Sequence, residues 1–215
     1  MKQIPYFANL EDGTHCYQAA LKMVLSYFYN KDWSFKELDC ITGKLPGKWT
    51  WPTASLLWLL DHQFEVRLIE TFDYNAFAKR GKDYLAEKYG DEVAEAQNQN
   101  SDLAREQKLA EKFAQKNCVT QRTPEWHDLE CLFKDKYLII CNINACLIHN
   151  RKGYSGHFVV PLKVSGSSIV LHDPGLPPLP SITVTKELFE AAWGYPSEEA
   201  KNILAIRKTG ANPLK

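Results

Sequence analysis

A run of alternating residues near the C-terminal end constrains this chain more tightly than any other stretch. After Gly156, the apolar side chains Phe158, Val160, Leu162 and Val164 alternate with His157, Val159, Pro161 and Lys163, the two-residue period of a strand with one face turned to a core. Ser165-Gly166-Ser167-Ser168 is a turn, and Ile169-Val170-Leu171-His172 brings the chain back antiparallel. The alternation puts His157 on the face opposite the most apolar row. With the turn centred near Gly166, His157 and Asp173 fall at the same open end of the hairpin, so an imidazole and a carboxylate distant in sequence are expected to approach each other.

A thiol stands near the opposite end of the chain. From Cys16 to Phe28 the residues Ala19, Ala20, Met23, Val24, Tyr27 and Phe28 recur at helical spacing, which predicts a core-facing helix. Cys16 lies on the same line, in the first turn, where free amide groups and the helix dipole favour a thiolate. Gly13 can turn the chain into this helix and Asp12 or Thr14 is expected to cap it.

Between these ends the periodicity predicts helices near Lys36-Glu37-Leu38 and from Trp51 through Leu60, then a strand from Phe64 to Glu70. From Tyr74 to Asn117 the composition shifts to Lys, Glu, Ala and Gln. Leu85, Tyr89, Val93 and Ala96, then Leu103, Ala110 and Phe113, keep a helical period around an interruption at Gln97-Asn98-Gln99-Asn100, which predicts a helical pair. This charged insertion reads as a solvated amphipathic excursion, with a protein-binding arm as the alternative. Thr123-Pro124-Glu125 starts a further helix, Tyr137 to Cys141 is a short strand, Gly175 to Pro180 a stiff loop, Lys186 to Trp193 a helix and Ile203 to Ile206 a last strand. The Gly210–Lys215 end is expected to fray.

At 215 residues the chain fits one domain, since domains usually run to about 100–200 residues. Lys+Arg and Asp+Glu both number 26, so the formal net charge is zero and no basic stripe advertises a nucleic-acid partner. No apolar run approaches the ~18 residues of a membrane span, and the start lacks a secretory apolar stretch, so a cytoplasmic protein is expected. The six cysteines (Cys16, Cys40, Cys118, Cys131, Cys141 and Cys146) are then expected to stay reduced. Cys131, Cys141, Cys146 and His149 lack the paired spacing of a zinc site. No metal and no cofactor is expected.

Individually, a helix-edge cysteine, a strand histidine and an Asp-Pro turn are ordinary. Their joint placement, with a thiol at a helix N-terminus and an imidazole and a carboxylate at one hairpin mouth, supplies the nucleophile, base and orienting acid of thiol catalysis. Asp12-Gly13-Thr14-His15-Cys16-Tyr17-Gln18-Ala19-Ala20-Leu21-Lys22-Met23-Val24-Leu25 resembles the nucleophile helix of the papain-like cysteine peptidases that process bacteriocin precursors after double-glycine leaders. Gly156-His157-Phe158-Val159-Val160-Pro161-Leu162 and Ile169-Val170-Leu171-His172-Asp173-Pro174 resemble that family's histidine strand and Asp-Pro return. The stretch from Trp126 to Ile140 is similar to its helix-then-strand lead-in. The resemblance covers the first stretch of the chain and Thr123 to Trp193. It implies an α+β papain-like fold in which the Cys16 helix packs on a C-terminal antiparallel sheet, with Cys16 as nucleophile, His157 as base and Asp173 as its orienting group.

Two departures bear on the oxyanion. The family usually shows Asp-Cys-Gly where this chain has His15-Cys16-Tyr17, and it places a glutamine upstream of the cysteine where this chain has Ala8-Asn9-Leu10-Glu11. An oxyanion donor is worth about 10²–10³ in rate. Asn9 carries an amide on a shorter arm, and the Cys16 N–H can supply one donor. His15 either caps or packs at the helix rim, or lines the cleft and donates to the oxyanion. A His-Cys pair is also similar to the nucleophile of butirosin-type acyltransferases. The expected function is therefore a thiol hydrolase, a peptidase or amidase acting on a peptide or acyl-amide. The alternatives are an acyltransferase passing the acyl group to an amine and a non-catalytic binding module on a peptidase-like scaffold.

Overall fold

The computed structural model describes residues 2–210. The expected frayed end lies, beyond Gly210, outside the described residues. The chain is mixed α+β. In order it runs α1 (Cys16–Tyr29), α2 (Phe35–Thr42), α3 (Thr53–Asp61), β1 (Phe64–Glu70), α4 (Tyr74–Arg80), α5 (Lys82–Tyr89), α6 (Asp91–Asn100), α7 (Leu103–Ala114), β2 (Val119–Gln121), α8 (Trp126–Lys134), β3 (Leu138–Asn144), α9 (Ala145–Ile148), β4 (Gly156–Val164), β5 (Ser168–Asp173), β6 (Leu179–Thr185), α10 (Lys186–Trp193) and β7 (Asn202–Lys208).

One seven-stranded sheet in the order β2-β1-β7-β3-β4-β5-β6 organises the molecule. The β1–β2 pair is parallel and the other pairs are antiparallel. Helices cover both faces, and strict alternation sorts the side chains between them. Val66, Leu68, Leu138, Ile140, Val160, Leu204 and Ile206 join one core with α1 and α3. Ile69, Ile139, Cys141, Ile143, Val159, Ile203 and Ala205 join a second core with Trp126, Leu129, Phe189 and Trp193 of α8 and α10.

The helix α1 crosses β4 and β3 and buries Ala20, Leu21, Met23, Val24 and Leu25 completely. Each such aliphatic burial contributes about 1.5–3 kcal/mol for the larger side chains. Asn30, at φ 51°, closes the helix by donating its N–H to the Ser26 carbonyl at 3.0 Å. In α2 the Ser34 hydroxyl and the Glu37 carboxylate cap each other's backbone N–H groups.

The structure corrects several expectations. Both rows of β4 are buried, because α8 and α10 cover the face that carries Val159. A bulge between Pro161 and Lys163 also breaks the alternation, so Val164 joins the Val159 side while Leu162 stays with Phe158 and Val160.

The expected helical pair from Tyr74 to Asn117 is four helices, α4 to α7. The chain breaks at Gly81 (φ 50°) and Gly90 (φ 90°), backbone conformations that suit glycine. Gln97 to Asn100 continue α6, and the break falls at Ser101, after which the Asp102 carboxylate caps α7 by accepting the Arg105 N–H at 3.1 Å. The segment is also more than a solvated excursion. Phe77, Tyr84, Leu85, Ala94, Ala110 and Phe113 are buried in the first core, and Trp51 stacks on Phe77 at 5.0 Å.

β6 and β2 carry no clear sequence signal, and both are edge strands. Proline is tolerated at such an edge, which is why Pro180 sits inside β6 rather than in the expected loop.

Candidate active site

Cys16 is the first residue of α1. The entry loop turns at Gly13 (φ 70°), whose N–H reaches the Leu10 carbonyl at 2.9 Å. Asp12 does not cap the helix. Its Oδ1 accepts the Thr14 N–H at 2.9 Å, and the N-cap residue is His15, with no side-chain cap bond. The His15 ring turns away from the thiol toward α2. Its Nδ1 lies 3.1 Å from Asp12 and its Nε2 3.4 Å from Asp39, with Phe35 against the ring edge at 5.7 Å. Both nitrogens thus face carboxylates, and packing at the helix rim describes His15 better than oxyanion donation.

Asn9 is placed otherwise. Its Oδ1 accepts the His15 N–H at 2.8 Å, and its own N–H donates to the Pro174 carbonyl at 2.8 Å. Asn9 therefore ties the start of α1 to the residue after Asp173. With Oδ1 anchored, the free branch of the amide is the Nδ2 donor. The Cys16 N–H, at the first helical position, has no intrahelical acceptor.

Tyr17 has a structural role. Its ring lies 4.7 Å from Phe158, and its buried hydroxyl is 2.6 Å from Ser55 Oγ. The residues that follow Cys16 and His157 thus pack on each other, which holds α1 against β4.

The hairpin register pairs Val160 with His172 and brings Asp173 to the open end. There His157 Nε2 donates to Asp173 Oδ1 at 2.6 Å. Cys16 is the other group whose interaction lifts His157, and with Nε2 given to the carboxylate, Nδ1 is the nitrogen left for the thiol. The Gly175 N–H also donates to Asp173 Oδ1, at 2.7 Å. A Cβ on Gly175 would lie 2.8 Å from that oxygen and 3.2 Å from His157 Nε2, so the loop passes the dyad where no side chain fits.

His149, whose role the sequence did not disclose, completes the carboxylate's partners. Its Nε2 donates to Asp173 Oδ2 at 2.9 Å. Asn144 folds it into place. The Asn144 Oδ1 accepts the Cys146 and Ser155 N–H groups at 3.1 and 3.0 Å, and its Nδ2 donates to the Gly153 carbonyl at 3.0 Å. These bonds close the excursion between β3 and β4 over Asp173. No periodicity announces such a closure. The only available signal was Asn144 at the end of an apolar strand.

The electrostatics of the cluster are reciprocal. Burial pushes the Cys16 thiol up, but the His157 hydrogen bond and charge, with the Phe158 and Tyr17 N–H groups, hold it below its ordinary value. Burial pulls His157 down, while its bonds to Asp173 and Cys16 and their charges lift it to about 9. Asp173 is raised by burial and lowered further by the His157 bond and charge, the Gly175 N–H and His149, with a net fall. Each group favours the charged form of the next, an arrangement suited to a thiolate–imidazolium pair.

All six cysteines are free. Cys141 is buried in the second core, and Cys131 lies 3.2 Å from His127 on the exposed face of α8. Among the described residues no three His, Cys, Asp or Glu side chains are grouped to hold a metal ion. Two cavities of about 220 and 140 Å³ are lined by residues other than Cys16, His157 and Asp173. Among the described residues no helix is long and apolar enough to cross a membrane. No protein-family model matches the sequence, and no curated protein matches it either.

Proposed function

We propose that this protein is a thiol-dependent hydrolase of papain-like plan, a cysteine peptidase or amidase acting through Cys16, His157 and Asp173. One observation carries the proposal: the imidazole of β4 and the carboxylate of β5 are hydrogen-bonded at 2.6 Å, and the thiol at the N-terminus of α1 is coupled electrostatically to that imidazole. The layering supports it, since α1 lies directly on the strand that carries the imidazole.

In the proposed reaction Cys16 Sγ, as thiolate, attacks the carbonyl carbon of an amide or thioester, forming the C–S bond while the carbonyl π pair moves to oxygen. The oxyanion meets the Cys16 N–H and Asn9 Nδ2. As the tetrahedral adduct collapses, the leaving amine or thiol takes the proton from His157 Nδ1, and the acyl group remains on sulfur. His157 then deprotonates a water that attacks the thioester, releasing the acid and restoring the thiol. Asp173 stays ionised throughout and holds the ring.

Iodoacetamide labelling across pH, with peptide mapping to separate Cys16 from the exposed Cys40 and Cys131, tests the proposal. Labelling of Cys16 is expected to persist well below the ordinary thiol pKa of about 8.5 and to lose that low-pH component in His157→Ala. An ordinary thiol profile, unchanged in the variant, would sink the enzyme reading in favour of a binding module. Where activation holds, release of the acid identifies a hydrolase, and an N-acyl product formed with an added amine identifies an acyltransferase.

A further inference from the structure

We propose that His149 is a positioning residue of this site, which holds Asp173 through its second oxygen and so maintains the charge that keeps the Cys16–His157 pair ionised. The inference deepens the thiol-hydrolase reading and rests on it.

Asp173 is wholly buried, and a buried carboxylate stays ionised only when its oxygens are satisfied. Two donors, His157 Nε2 and the Gly175 N–H, serve Oδ1. Among the described residues His149 Nε2 alone, at 2.9 Å, serves Oδ2. The carboxylate is thereby clamped between two imidazoles whose side chains are themselves 10% and 8% exposed. A carboxylate accepts but does not donate, so the proton on each imidazole lies on Nε2. That tautomer leaves His157 Nδ1 directed to the thiol.

Other charges near the clamp do not replace His149. The Tyr6 hydroxyl donates to the Asp173 backbone carbonyl at 2.9 Å rather than to the carboxylate. Cys16 reaches Asp173 through His157. The helix α10 packs against α9, but among the described residues no ion pair joins His149 to it. Without His149, Oδ2 is a buried anionic oxygen with no donor. Asp173 then takes up a proton at a higher pH, the His157 imidazolium loses its counter-charge, and the thiol becomes harder to ionise.

The test is the pH profile of Cys16 alkylation in wild type, His149→Ala and His149→Gln, with circular dichroism as the check on folding. In His149→Ala the acid limb is expected to move up by about one pH unit, so that alkylation near pH 6 slows about tenfold. Glutamine puts an amide N–H close to the place of Nε2, so His149→Gln should restore most of the rate, which a purely space-filling role would not require. A folded His149→Ala with the wild-type profile overturns the inference while leaving the triad reading intact. A wild type that alkylates like a free thiol overturns the triad reading, and the role of His149 falls with it. Should the variants fail to fold, ¹⁵N-histidine spectra of the wild type decide. An Nε2–H tautomer for His149, with a slowly exchanging proton, supports the clamp, and an Nδ1–H tautomer overturns it.

Discussion

His157 Nε2 and Asp173 Oδ1 meet at 2.6 Å across the mouth of a hairpin, both groups almost wholly removed from solvent. In that setting the ion pair is strong because water does not compete, and its geometry is held by what surrounds the carboxylate as much as by the pair itself. The variants below separate those surroundings from the pair.

The Gly175 backbone passes close to the dyad, its N–H donating to Asp173 Oδ1 at 2.7 Å. In Gly175→Ala the new methyl would fall 2.8 Å from Asp173 Oδ1, so either the loop or the carboxylate must move. The expected result is a loss of low-pH alkylation at Cys16 and at least a tenfold fall in turnover, since small misplacements of catalytic groups cost about 10²-fold. A Gly175→Ala protein with wild-type alkylation would show that the loop yields without disturbing the dyad.

Asn9→Ala should divide the site's two tasks. Alkylation by iodoacetamide forms no oxyanion, so its pH profile is expected to stay as in wild type. Turnover of an amide or thioester is expected to drop about 10²–10³-fold. Parallel loss of both would mean that Asn9 acts by positioning α1 through the His15 N–H.

The pH dependence of stability carries two signatures. His157 is raised to about 9 when folded, so its contribution is fully present below its unfolded value of ~6.5 and is lost as pH rises through about 9. The melting-temperature gap between wild type and His157→Gln should therefore narrow over that window. Glu106 shows the opposite sign. Burial raises its carboxyl to about 7 and its Oε2 has no partner among the described residues. The folded state therefore holds a proton that the unfolded chain releases near 4.3, and stability falls as pH climbs from there to about 7. Glu106→Gln is expected to raise the melting temperature at pH 8 by about 2–4 °C, with the gain vanishing near pH 4.

Phe113 tests how far the charged helices belong to the core. Its side chain is fully buried and lies 4.9 Å from the Tyr74 ring. Phe113→Ala is expected to cost about 3–5 kcal/mol in chemical denaturation. A cost near zero would mean that α7 is the detachable excursion its composition suggests.

Much of the scaffold was legible because periodicity is local. The bounds of β1 and α10 match the residues read from spacing alone, as does the start of α1 at Cys16. The four helices between β1 and β2 were harder. A polar run such as Gln97 to Asn100 is compatible with helix or loop, and Gly81 and Gly90 acted as breaks although the surrounding spacing continued. β6 escaped notice because Pro180 lies on an edge where a missing N–H costs nothing.

The approach of His157 to Asp173 was decided within one hairpin, where turn position and register suffice to bring two side chains together. The tertiary structure alone decided what joins them. Asn9 reaches the site through the Pro174 carbonyl, His15 is drawn off to Asp39, and His149 is folded onto Asp173 by the bonds of Asn144. Such contacts depend on where separate segments cross in space, and short-range residue patterns carry no record of that. The sequence by itself therefore determined the strongly periodic elements and the pairing at the hairpin mouth. Long-range closure of loops over a buried carboxylate decided which further groups share its charge.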